Sequence, residues 1–162
     1  MALAFQVAGC VDATYDGNNL GIATDGFQVV VDPRWEDIMT DCYGGPRGIW
    51  EERQFLGATG RVSCELVKFD KANVFPLLTF QSLASGGSIG VIPDIGDFVI
   101  ADGLAQDLVL AGRLRTWTFS LAHVAQATQI GVNGRAQKVR LSWDCRISSS
   151  TLKVLFTEAA TV

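Results

Sequence analysis

Apolar and polar residues alternate along much of this chain, the period of a β-strand with one face buried and the other wet. The clearest run lies near the C-terminus, where Val139, Leu141, Trp143, Cys145 and Ile147 interleave with Lys138, Arg140, Ser142, Asp144 and Arg146. Upstream, Trp117, Phe119, Leu121 and His123 alternate with Thr116, Thr118, Ser120 and Ala122. Between the two runs stands Asn133-Gly134, a dipeptide suited to the positive φ angles of a tight hairpin turn. The pattern predicts neighbouring antiparallel strands over Arg115 to Ala125 and Gln137 to Ser148, followed by a short last strand over Leu152 to Phe156.

In the first half, Phe27 to Val31 is a β-branched run stopped by Asp32-Pro33, and Gly60 to Lys68 places Val62, Cys64 and Leu66 on one face. Ala2 to Val11 and Leu20 to Thr24 are weaker strand candidates that bracket the turn-rich Asp16-Gly17-Asn18-Asn19. Helical signals are few. Asp70 is placed to cap a helix carrying Val74, Phe75, Leu77, Leu78 and Phe80, with Pro76 either forcing a start near Asn73 or breaking it. A second helical turn is expected around Glu36 to Thr40.

Two segments read as long and irregular: an extended arm over about 41–57, and a loop over about 85–103 containing Gly86-Gly87 and Pro93. Long loops commonly carry a protein's work, and these combine backbone freedom with apolar residues. Gly44, Gly45, Pro46, Ile49, Trp50 and Phe55 are the residues expected to contact another subunit. The fold class expected is mainly β, an antiparallel β-barrel or sandwich with one short flanking α-helix and long loops, forming a single domain over residues 1–162.

Composition narrows the function classes. Hydrophobic residues make up 48% and charged residues 19%, too apolar for a disordered chain, yet no apolar run is long enough for a membrane-spanning helix. A net charge of −4 is the reverse of what a protein gripping phosphates needs, so tight nucleic-acid binding is not expected. The first 32 residues contain no Lys or Arg, which reads as the lack of a secretory signal and as folding in a cytoplasm. Cys10, Cys42, Cys64 and Cys145 are scattered without a C-x-x-C pair, so they read as reduced thiols rather than metal ligands or a redox pair.

No catalytic constellation emerges, and no cofactor or metal is called for. His123 is the only histidine, and its alternation with Trp117 and Phe119 reads as a core or interface position. Asp94, Asp97, Asp102 and Asp107 lack the spacing of a calcium loop. Gly86-Gly87-Ser88-Ile89-Gly90 lacks the lysine of a phosphate-binding loop, and Glu51-Glu52 are adjacent, which in a strand sends them to opposite faces.

The order of elements resembles the tail tube proteins of bacteriophages and the related tube proteins of contractile injection systems. The likeness is carried by Leu20-Gly21 to Phe27 entering Gln28 to Asp32, then Trp35-Glu36-Asp37, Asp41-Cys42-Tyr43-Gly44-Gly45-Pro46 and Gly57-Ala58-Thr59-Gly60, then Arg61 to Phe69 leading into Asp70 to Leu78, and by the closing strands from Trp117 to Ile147. The resemblance implies a homo-oligomer of hexameric rings stacked into a hollow tail tube, a virion structural protein assembled in the host cytoplasm. It implies sheath, tape-measure and baseplate proteins as partners, and DNA passing through the lumen without specific binding. Other virion components, such as a capsid decoration, tail-completion or baseplate protein, are the alternative reading, with a small ligand-binding or enzymatic β-barrel behind them.

Overall fold

In a computed structural model the described residues are 3–40, 49–78, 83–85, 88–91, 94–98, 103–125, 129–133, 136–147 and 155–161. They form strands β1 (Leu3–Val7), β2 (Val11–Tyr15), β3 (Asn18–Ala23), β4 (Phe27–Thr40), β5 (Ile49–Leu66) and β6 (Lys68–Phe69), then helix α1 (Lys71–Leu78). There follow β7 (Leu83–Ser85), β8 (Ser88–Val91), β9 (Gln106–Gly112), β10 (Arg115–Val124), β11 (Gln129–Asn133), β12 (Ala136–Arg146) and β13 (Thr157–Ala160).

The expected mainly β fold with a short helix is what forms, as an antiparallel, sandwich-like sheet that is not closed into a barrel. Its strand order is β1-β4-β5-β12-β10-β9-β2-β3-β6, with β11 beside β12 and β13 beside β10, while β7 and β8 pair separately. Closure fails because the path has ends, yet β6 continues β5 past Val67 and pairs with β3, so the sheet coils back toward its own middle. Gly21 makes that contact possible: its φ is +133°, and a Cβ there would collide with the backbone of Lys68 and Phe69.

Two faces meet in the core. Val29, Val62, Leu66, Val139, Leu141 and Trp143 come from one layer, and Ala13, Tyr15, Leu20, Leu108, Leu110 and Phe119 from the other, all fully buried. Tyr15 and Trp143 approach to 6.2 Å, and Phe27 stands edge-on to Trp117 at 5.1 Å and to Phe119 at 6.4 Å. Each such aliphatic or aromatic side chain removed from water stabilises the fold by roughly 2 kcal/mol before entropy is charged against it. The Tyr15 hydroxyl donates to the Ala122 carbonyl at 3.0 Å, so burying the phenol leaves no unpaired oxygen.

Several expectations change. Asp32-Pro33 does not stop the strand, and the helical turn over residues 36–40 is strand instead. Beyond Val31, β4 pairs with β5 alone among the described residues, and a strand with an open side is where a sheet accommodates proline. The arm expected to be irregular over 41–57 is regular from Ile49 onward, since β5 pairs with β4 out to Thr40↔Ile49. The loop over 85–103 contains β8, paired to β7.

Strand β10 does neighbour β12, but Asn133 pairs with Ala136, so the hairpin joins β11 to β12. The last strand among the described residues is Thr157–Ala160; of the strand expected over Leu152 to Phe156, Leu155 and Phe156 lie outside any strand and residues 152–154 fall outside the described residues. Helix α1 begins at Lys71 with Asp70 as the expected cap, its carboxylate accepting from the Ala72 amide at 2.9 Å, rather than starting near Asn73. Pro76 lies inside it and cannot donate to the carbonyl one turn back; Phe80, expected on the same helix, lies outside the described residues.

Candidate interaction surface

The feature that stands apart from the body is the outer part of the β4–β5 ribbon. On β4 the residues facing the core are Phe27 and Val29, and period 2 carries the same face outward through Val31, Pro33 and Trp35. Their partners on β5 are Cys64, Val62, Gly60, Ala58 and Phe55. Between Ala58 and Phe55 the register shifts by one, leaving Leu56 as an extra residue. Without that bulge Leu56 would stand opposite Trp35; with it, Phe55 shares the face of Trp35, and their rings approach to 4.9 Å.

This face therefore begins as core and ends in the open. Trp35 is 49% exposed and Phe55 48%. Past the aromatic pair, Arg53 Nε meets the Asp37 carboxylate at 2.6 Å, closing the apolar strip with an exposed ion pair. An exposed pair of this kind adds little stability. Nothing among the described residues covers the strip.

Of the residues expected to make subunit contacts, Phe55 lies on this strip. Ile49 and Trp50 lie farther out on β5, paired with Thr40 and Met39. Gly44, Gly45 and Pro46 fall outside the described residues. Trp35 was not singled out as a contact from sequence. The signal that finds Trp35 is the alternation Phe27, Val29, Val31, Pro33, Trp35, read straight through the proline.

The opposite face of the same layer carries polar ladders. Val30, Arg61, Asp144 and His123 stand side by side on β4, β5, β12 and β10. Arg61 Nε and Nη2 donate to the two Asp144 carboxylate oxygens at 2.8 and 3.5 Å. With Asp32, Arg34, Thr59 and Arg146 this row lines a groove of about 490 Å³.

His123 reaches the groove because of a second bulge. Phe119 pairs with Leu108 but Ala122 pairs with Gln106, so β10 gains one residue between them. Ala122 then takes the buried side and His123 the other, which corrects the expectation that His123 shares the face of Trp117 and Phe119. Burial lowers the imidazole pKa below 6.5; Asp144 opposes that shift and Arg146 adds to it.

Among the described residues the groove shows no acid–base pair in working geometry. Asp144 is engaged by Arg61, and the buried Nδ1 of His123 has no hydrogen-bond partner among the described residues, so no carboxylate orients the ring. The thiol of Cys145, also along the groove, is pushed up to about 12 by burial first and by Asp144 second, far from the thiolate a nucleophile requires. Among the described residues no three His, Cys, Asp or Glu side chains gather as metal ligands, and no helix is long and apolar enough to cross a membrane.

No protein-family model matches this chain, and no curated protein sequence matches it.

Proposed function

We propose that the protein is a structural subunit that assembles with copies of itself, as a tail tube protein of a bacteriophage does, in stacked rings enclosing a conduit for DNA. The observation that carries this reading is the β4–β5 ribbon, whose core face continues past the body and ends in the half-exposed Trp35–Phe55 pair. A monomer gains nothing from leaving such a strip in water, and an apolar face rimmed by charge is what a partner surface covers.

Open edges support the same reading. β1 has β4 on one side only, and β13 has β10 on one side only, among the described residues. Each such edge is a template for another chain unless it is covered. In a closed ring, neighbouring copies would cover them. The polar ladders of the opposite face, with Arg61 tied to Asp144 and Lys138 to Glu65 at 2.8 Å, suit a surface along which DNA slides, because each paired cation is less free to hold a phosphate.

Electron microscopy of the purified chain tests the proposal. Stacked rings or hollow tubes are expected. A chain that stays monomeric at high concentration removes it.

A further inference from the structure

A second apolar feature lies at the other end of β4. The β1–β2 connection and the β9–β10 hairpin enclose a groove of about 490 Å³, lined by Val7, Cys10, Val11, Leu114 and Trp117 with Arg113 at its rim. Its lining is mainly apolar, Leu114 is 77% exposed, and its size matches cavities that take a small molecule or a pair of rings. Val7 pairs with Phe27, the first residue of β4, whose ring packs on Trp117. Trp35 is eight residues farther along the strand, so groove and aromatic pair are roughly 26 Å apart at ~3.3 Å per residue.

The two features differ in charge. By sequence, residues 32–40 and 49–59 of the ribbon carry Asp32, Glu36, Asp37, Glu51 and Glu52 against Arg34 and Arg53. The groove is concave with Arg113 and Arg115 beside it. Arg115 is held by Glu158 at 3.1 Å, whereas Arg113 makes no ion pair among the described residues.

Resting on the self-assembly reading above, we infer that the groove between the β1–β2 connection and the β9–β10 hairpin receives the Trp35–Phe55 pair of a second copy. Complementary patches at opposite ends of one strand cannot satisfy each other within a chain. Between chains they make a head-to-tail contact, which propagates into a closed ring or a filament, where a self-complementary patch would stop at a dimer. The acidic ribbon approaching the arginine rim sets polarity and speeds encounter, so the contact weakens as salt rises.

The native thiol of Cys10 is exposed in the groove, whereas Cys64 and Cys145 are buried. The full-length chain carrying Phe55→Cys with Cys42→Ser is therefore oxidised with diamide and run on a non-reducing gel. The expected product is a ladder of covalent oligomers whose peptide maps join residue 55 to Cys10 and which Cys10→Ser abolishes; only Cα atoms within about 7 Å can be so joined. Joining of residue 55 to itself, or no ladder while rings or tubes still form, overturns the groove assignment and leaves the self-assembly reading standing.

If the unsubstituted chain forms no oligomer at any concentration, both fail. A monomer whose Cys10 resists iodoacetamide would show a different occupant and would also overturn the assignment. Leu114→Arg serves as the second variant: a rise of at least tenfold in the concentration needed for assembly, with an unchanged circular dichroism spectrum, is expected, and unaltered assembly overturns the assignment.

Discussion

Replacing Phe55 by alanine separates what the ribbon does for the single chain from what it does between chains. An aromatic side chain offers about 200 Å² of surface, and Phe55 is 48% exposed, so about 100 Å² remains for a partner to cover. At ~25 cal/mol per Å² that area is worth about 2.5 kcal/mol per contact, a factor of roughly 70 in association constant. Within the free chain the substitution uncovers the other half of the ring, about 100 Å² or ~2.5 kcal/mol on the same scale, removes the tilted pairing with Trp35, worth about 1 kcal/mol more, and leaves the buried core alone. Sedimentation across a concentration series reads the first effect, and a urea titration of the dissociated chain reads the second. That loss in folding with assembly unchanged would refute the reasoning, because Phe55 would then be serving only its own chain.

Tyr15→Phe leaves the Ala122 carbonyl, at the β10 bulge, without its buried donor, and is expected to cost ~1–3 kcal/mol in urea unfolding; an unchanged midpoint would mean that the bulge relaxes to find another partner. His123 gives a pH dependence of definite sign. Its pKa is 6.5 when unfolded and lower when folded, so the unfolded chain takes up the proton first, and its stabilising contribution is complete above 6.5 and is lost as pH falls through the folded value. His123→Gln should flatten the decline in stability below pH 6.5, and equal slopes in both proteins would contradict this assignment. Of the three described thiols only Cys10 should react with iodoacetamide in the native, dissociated chain, since burial raises the Cys64 and Cys145 thiols to about 12; mass spectrometry of labelled peptides checks it.

The fold class was legible because alternation is the strongest single-sequence signal for a half-buried strand, and β12 and the inner half of β5 show it without interruption. What escaped was non-local. Strand β9 has Leu108, Val109 and Leu110 in succession, which hides its period, and it is recognisable once its neighbours β10 and β2 are known. The bulges at Leu56 and between Phe119 and Ala122 each reverse which residues share a face; the first sits beside Gly57, whose φ is +127°, a glycine the sequence reading took only as part of a loop boundary, and the second contains no glycine or proline to announce it. For the same reason Phe55 was identified as a contact residue while Trp35, its partner across the ribbon, was not. Barrel closure was undecidable from pattern alone, since it depends on where β6 leaves the line of β5.

Hydroxyl-radical footprinting of Trp35 and Phe55 as protein concentration is raised measures directly whether another copy covers the ribbon. Oxidation of both rings should fall together, in step with the sedimentation of oligomers, while exposed Ile95 and Phe98 serve as references away from the strip. Oxidation of the aromatic pair that stays constant from dilute to concentrated solution would contradict the account.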